Sequence, residues 1–310
     1  MIEKKIIIGV LVVTYNQYEL TKKFIINFSN LFSEDNRIKL LILDNNSKDG
    51  TYINIKKEFP HVDIRLLNNN YGCVTGRNIG IVELINLQVD YICILDNDIE
   101  IRDPNFFNEL ITFMEDNIEI DGCCTIVKYA NDGEEQTRGA RLKTIKIQNI
   151  TKYNISLEEI FSKFIIVDML PGCFQFIRTK SFLKFGLYDN DLSPISIEDY
   201  EWGIRATSNG AKLVCYNNLE VFHHTDKSHK FSNFKNKNII IGRIIFLRKY
   251  FTLFNIFREM KYFLYNLINY GIFYTFSAIL IGLTKKITKD NYLFENFIKK
   301  DINDFYKKQS

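Results

Sequence analysis

The chain has 310 residues, 46% of them hydrophobic and 25% charged, which suits a globular protein of one large domain with an appendage. Six cysteines without a CxxC pair, several of them inside apolar runs, exclude a disulfide framework and point to a reducing compartment. The net charge of +3 conceals a split: residues 227–310 hold 16 Lys or Arg against 5 Asp or Glu, and the remainder holds 24 against 32. The basic residues of the tail are spread among long apolar runs, which makes nucleic acid a poor partner.

The start, Met1 to Lys5, lacks a small-residue cleavage site, and the apolar run behind it is too short to span a bilayer. Ile6 to Val13 therefore reads as a first strand buried on both faces, ending at Thr14-Tyr15-Asn16. A helical pattern follows from Glu19 to Phe32, then a short strand from Ile38 to Leu43 that ends in Asp44-Asn45-Asn46-Ser47-Lys48-Asp49-Gly50-Thr51. Another helix leads to Val62–Leu67, and Val74 to Leu87 reads as helix again. The fourth strand is Tyr91-Ile92-Cys93-Ile94-Leu95, which runs into Asp96-Asn97-Asp98. Strand and helix alternate and each strand ends in a polar cluster, so the expected fold is α/β. It is a doubly wound, parallel sheet with its chemistry along the carboxyl edge.

That edge can be read chemically. Two carboxylates two positions apart, Asp96 and Asp98, suit Mg²⁺ or Mn²⁺ shared with a substrate diphosphate. Asp44 is placed to accept from a nucleobase N–H or a ribose hydroxyl, while Asp49 with Gly50 also makes an ordinary turn and helix cap. In Gly72-Cys73-Val74-Thr75-Gly76-Arg77-Asn78-Ile79-Gly80 the glycines allow close approach of backbone to a ligand. Arg77 there supplies a cation for a nucleotide or diphosphate.

Taken together, Thr14-Tyr15-Asn16, the Asp44 to Thr51 cluster, Asn70-x-Gly72, Gly76-Arg77-Asn78-x-Gly80 and Asp96-Asn97-Asp98 resemble glycosyltransferase family 2 in order and spacing. The similarity is greatest to its rhamnosyltransferase-like branch acting on bacterial surface polysaccharides, and it covers roughly residues 6–230. It implies a Rossmann-like GT-A fold over 1–230, a UDP- or dTDP-sugar as donor and inversion at the anomeric carbon. By position it implies donor contacts from Thr14, Asn16, Asp44, Gly72, Arg77, Asp96 and Asn97, with Asp98 on the metal.

Beyond that strand, Asn105–Asn117 reads as helix and Gly122–Tyr129 as strand. Asn131 to Gly139 is a polar turn region, and 140–165 has no clear period, as in an excursion from the sheet. Within Val167–Ile177 the Pro171-Gly172-Cys173-Phe174 interruption is a bulge or a close passage to a sugar, and the resemblance assigns Gly172 to the donor-sugar pocket. A loop of Asp, Ser and Pro then reaches Glu198-Asp199, ahead of a helix from Tyr200 to Asn209 closed by Gly210. A helix N-terminus favours ionised carboxylates, which could be a general base or a plain acidic first turn. The resemblance makes Asp199 the base and Glu198 its neighbour. After a strand at Lys212–Tyr216, His223 and His224 follow another apolar run. Alternation puts them on opposite faces, so only one should reach a metal, and the reading leans to His223.

Residues 227–238 are polar and basic, a candidate mobile lid. From Ile239 the chain is helical and aromatic, and Tyr262 to Thr284 is a run of 23 residues without formal charge. Its asparagines and tyrosines make a poor transmembrane span. The reading is an interfacial helix drawn to anionic lipid, with soluble helical packing or a homodimer contact, and then a true span, as the alternatives. The whole chain then reads as a cytoplasmic enzyme at the inner membrane face, acting on a glycan or polyprenyl-linked acceptor. Its rivals are a sugar nucleotidyltransferase and a non-catalytic sugar-nucleotide-binding or scaffold protein.

Overall fold

The computed structural model describes residues 5–143, 146–194, 197–225, 232–250, 253–288, 290–295 and 302–307. Its first half alternates as the apolar pattern dictates. The elements are β1 (Ile8–Thr14), α1 (Tyr18–Phe32), β2 (Ile38–Asp44), α2 (Thr51–Glu58), β3 (Asp63–Leu66), α3 (Gly72–Asn86) and β4 (Tyr91–Leu95). β1 pairs in parallel with both β2 and β4, and β2 with β3. Every residue of β4 is buried, as a strand covered on both faces requires. Thr14 lies opposite Asp44 and Val12 opposite Leu95, so β1, β2 and β4 deliver their polar ends to one edge.

The second half departs from a purely parallel sheet. It comprises β5 (Ile99–Glu100), α4 (Phe106–Asp116), β6 (Gly122–Tyr129), β7 (Glu135–Thr137), β8 (Ala140–Lys143), β9 (Lys146–Asn149), α5 (Leu157–Phe161) and β10 (Phe164–Val167). After these come β11 (Phe174–Arg178), α6 (Thr179–Phe185), α7 (Glu198–Ser208) and β12 (Leu213–His223). The main sheet runs β10-β12-β6-β11-β4-β1-β2-β3, with β11 antiparallel to both β4 and β6. The unperiodic stretch 140–165 resolves into the β8–β9 hairpin, α5 and the approach to β10. The two apolar runs before the histidines form one strand, β12, interrupted by a bulge between Tyr216 and Glu220.

The C-terminal region is helical: α8 (Asn233–Lys249), α9 (Leu253–Tyr270) and α10 (Ile272–Thr284). The expected lid is therefore in part the first turns of α8, and residues 226–231, His229 among them, lie outside the described residues. Gly271, at φ 84°, splits the uncharged run between α9 and α10. No helix among the described residues is long and apolar enough to cross a membrane.

The C-terminal region is tied to the sheet domain by buried ion pairs. Lys249 Nζ lies 2.6 Å from both Asp189 and Asp191, and Lys285 Nζ donates to the backbone oxygens of Asp191 and Ser193. Further on, Leu67 and Tyr306 form a β-bridge beside β3, and Tyr306 hydrogen-bonds to Glu83.

Candidate active site

Arg77 is the hub. It stands on α3 with 4% of its surface exposed, and its guanidinium bonds three ways. Nη2 donates to Asp96 Oδ1 at 2.8 Å and to the Gly172 carbonyl at 2.9 Å, and Nη1 to Glu198 Oε1 at 3.1 Å. One side chain thus draws together the end of β4, the turn before β11 and the start of α7. Each element supplies its residue for a local reason. β4 ends where its apolar run does, and the Asp96 N–H is fixed by the Cys173 carbonyl at 3.1 Å. α7 begins with Glu198 and Asp199, where its free N–H groups accommodate carboxylates.

Asp199 packs against the same turn. Its Oδ1 accepts the Tyr200 N–H at 2.9 Å, and a Cβ added at Gly172 would lie 3.0 Å from its Oδ2. Burial, and next the like charge of Glu198, push its carboxyl up to about 6 against the lowering pull of Arg77. A carboxylate tuned toward neutrality is what a general base needs.

On the other side of Asp96 stands a second pair. His223, at the end of β12, places Nε2 3.3 Å from Asp98 Oδ2, while its Nδ1 lies 2.9 Å from the side-chain Oε1 of Gln136 on β7. The contact at Nδ1 fixes the orientation of the ring, so that Nε2 and the Asp98 carboxylate are set side by side as nitrogen and oxygen donors of the kinds a divalent cation accepts. Asp98 Oδ1 is buried and without a hydrogen-bond partner among the described residues. Around the site Asp96, Asp98, Glu198 and Asp199 set four carboxylates about the guanidinium of Arg77. The donor set therefore fits a divalent metal bound by Asp98 and His223, with other positions left to diphosphate and water. No group of three or more ligating side chains is present among the described residues. His224 points elsewhere, half-exposed, with Nε2 3.0 Å from Glu100.

The remaining candidates hold the edge together. Asn97 is buried and donates to the hydroxyls of Thr14 and Thr21 at 3.2 and 3.0 Å, which ties the Asp-Asn-Asp turn to β1 and α1. Asn16, at φ 53°, accepts the Lys48 N–H on its side-chain oxygen and donates its own N–H to Ser47 Oγ. Asp44 is fully buried, accepts the Ser47 N–H, and has Oδ2 without a partner among the described residues; burial pushes its carboxyl up.

The glycines of α3 also have a packing reason. A Cβ on Gly72 would sit 2.3 Å from Pro194 Cα, and Cβ atoms on Gly76 and Gly80 would meet Val13 and Leu11 of β1. Two contributors escaped the sequence reading. Gln136 orients His223 from within a segment seen only as a polar turn. Asn45 bridges the loops, accepting the Tyr71 N–H and donating to Gly72 O. Its place in the Asp44-Asn45-Asn46-Ser47 cluster was the available signal.

Residues 9–186 match the model of glycosyl transferase family 2. A comparison with curated proteins gives no match. Among solved structures, GalNAc-T7 with UDP, GalNAc and Mn²⁺ aligns at a TM-score of 0.65 and 16% identity, over 98% of this chain and 58% of that one. This chain thus spans less than two thirds of that protein. The mannosyltransferase PcManGT from Pyrobaculum calidifontis, in complex with GDP-Man and Mn²⁺, aligns at 0.56 and 11% identity, over 92% of this chain and 77% of its own. TarS of S. aureus, residues 1–349 in complex with UDP-GlcNAc, aligns at 0.52 and 15% identity, over 78% and 67%. At these identities the likeness is one of fold, a GT-A-like mixed sheet flanked by helices. The family model covers more than half of the sequence, and on that ground the chain belongs to glycosyl transferase family 2.

Proposed function

We propose that this glycosyltransferase inverts the anomeric carbon of a hexosyl donor, a UDP- or dTDP-sugar, with the help of Mn²⁺ or Mg²⁺. Its acceptor is a hydroxyl of a glycan or polyprenyl-linked saccharide in bacterial surface polysaccharide synthesis, at the inner membrane face. Residues 1–230 carry the reaction and 231–310 form the extension. The observation that carries the reading is Asp199: a half-buried carboxylate with its pKa raised to about 6, joined through Gly172 and Arg77 to the Asp96 end of β4.

In this reading Asp98 and His223 hold the metal, which when bound neutralises the departing nucleoside diphosphate. Asp96 orients the ribose or the metal, and Arg77 fixes Asp96 while lending positive charge near the diphosphate. Thr14, Asn16, Asp44, Gly72 and Asn97 build the nucleotide side of the cleft. Gly172 keeps the passage beside the sugar free of a side chain. Asp199 takes the proton of the acceptor hydroxyl as its oxygen attacks the anomeric carbon. Glu198, tied to Arg77, raises the basicity of its neighbour.

Transfer assays with Asp199→Asn, alongside donor titration calorimetry, test the assignment. The expected result is a loss of turnover of about 10²–10⁴-fold with donor affinity retained. Turnover at the wild-type level would remove Asp199 from the role of base. Release of pyrophosphate in place of a nucleoside diphosphate would favour a nucleotidyltransferase.

A further inference from the structure

The helical extension is inside out. α9 and α10 bury polar or small side chains: Glu259, Asn266 and Thr275 are fully buried, as are Ala278 and Gly282. Asn266 accepts a hydrogen bond from Asn236 of α8 at 2.9 Å, and Arg243 of α8 pairs with Glu259. Gly282 lets α10 lie close on α8, since a Cβ there would sit 2.7 Å from Ile244 Cβ. Six large apolar residues face the other way. Leu264 and Ile268 on α9, then Phe273, Phe276, Leu280 and Leu283 on α10, are all more than half exposed. Their spacings of three and four residues make a stripe along α10 that continues onto the last turns of α9. Exposure is greatest beside the Gly271 turn, at 83% for Ile268 and 90% for Phe273. Scattered exposed apolar residues are ordinary, but a stripe that runs along α10 and around the hairpin tip marks an interaction surface.

We infer that the α9–Gly271–α10 hairpin inserts its apolar face into one leaflet of an anionic lipid membrane. Neither helix is long and apolar enough to cross, and α10, with 13 residues, makes only about 20 Å of helix against a hydrocarbon core of about 30 Å. A hairpin with an apolar outer face can instead lie within the interface. The tyrosines Tyr265, Tyr270 and Tyr274 around the tip suit the headgroup level. Charge selects the occupant. Residues 227–310 carry 16 basic against 5 acidic residues. A symmetric contact with a second copy would set this basic region against itself, whereas anionic headgroups complement it.

The inference is independent of the transfer reaction. If that reaction is as proposed, the hairpin would also hold the helix of Asp199 near a lipid-linked acceptor, because Tyr200 OH reaches Glu259 at 3.4 Å.

The test is co-sedimentation of the full chain with phosphatidylcholine vesicles and with vesicles containing phosphatidylglycerol, for the wild type and for Ile268→Ser/Phe273→Ser/Phe276→Ser. Light scattering of both proteins reads their oligomeric state, and circular dichroism their fold. The wild type should partition onto the anionic vesicles. The triple variant, which alters only exposed side chains, should keep its melting temperature and bind at least about ten-fold more weakly, given the apolar area withdrawn from lipid. Binding by the variant equal to the wild type would reduce the contact to charge alone and overturn the insertion. Absence of wild-type binding would also overturn it. If that absence came with a dimer that the variant breaks, a second copy covers the face. Asp199→Asn should leave vesicle binding unchanged, so failure of the lipid contact and failure of the catalytic reading are separable.

Discussion

At the scale of single residues, the Arg77 cluster makes pH a direct probe of the site. Asp199 has its carboxyl raised from 3.8 to about 6 by burial and by Glu198, so the ionised base accumulates only as pH climbs through that value. The pH profile of kcat/KM should therefore rise with an apparent pKa near 6 on its acid limb. A flat profile between pH 5 and 7 would contradict the assignment. The same shift has a stability consequence of opposite sense. A carboxyl whose folded pKa is raised favours folding most when protonated, below about 3.8, and loses that contribution as pH rises through about 6. Asp199→Asn should thus raise the melting temperature at neutral pH while leaving it nearly unchanged at the acid end. A melting temperature lowered at neutral pH would mean that the carboxylate is held in place by net favourable contacts.

At the scale of elements, the glycine that opens α3 links sequence to fold. Gly72 stands at φ 79°, and a Cβ there would lie 2.3 Å from the Pro194 backbone. Gly72→Ala should lower unfolding stability by about 2–4 kcal/mol, combining left-handed strain with overpacking. Urea denaturation reads this directly, and a loss under about half a kcal/mol would show that the Pro194 loop can yield. The strands and helices up to β4 were legible because apolar runs bounded by polar clusters leave few alternatives. The antiparallel β11 was not, since a short buried strand carries no mark of its direction. The β8–β9 hairpin was hidden for a different reason. Its Arg, Lys and Gln residues show no clean alternation, and its position depends on pairing with distant backbone, as Ala140 does with Met169. Within the site, Asp98 and His223 could be picked out by position, but the role of Gln136 could not. Its value lies in a contact across 87 positions of sequence.

At the scale of the whole molecule, the basic extension and the acidic body meet in buried ion pairs. Lys249 is 11% exposed and its partner Asp189 is fully buried, so Lys249→Met strands a charge. The expected cost is about 3–5 kcal/mol, read by thermal or urea denaturation of the full chain. A cost near zero would mean that the Lys249 ion pairs contribute nothing to holding the 189–194 segment ahead of Glu198 and Asp199. The central claim concerns chemistry, and one experiment reaches it most directly: release of nucleoside diphosphate from a panel of UDP-, dTDP- and GDP-sugars, with Mn²⁺ and then with EDTA, by the wild type and by Asp98→Ala. The account predicts metal-dependent release from a UDP- or dTDP-sugar, abolished by EDTA and by the substitution. Donor binding that ignores metal and yields no nucleoside diphosphate, even with membrane lipid extract supplied as acceptor, would contradict it and leave Asp199 as the first-turn carboxylate of α7.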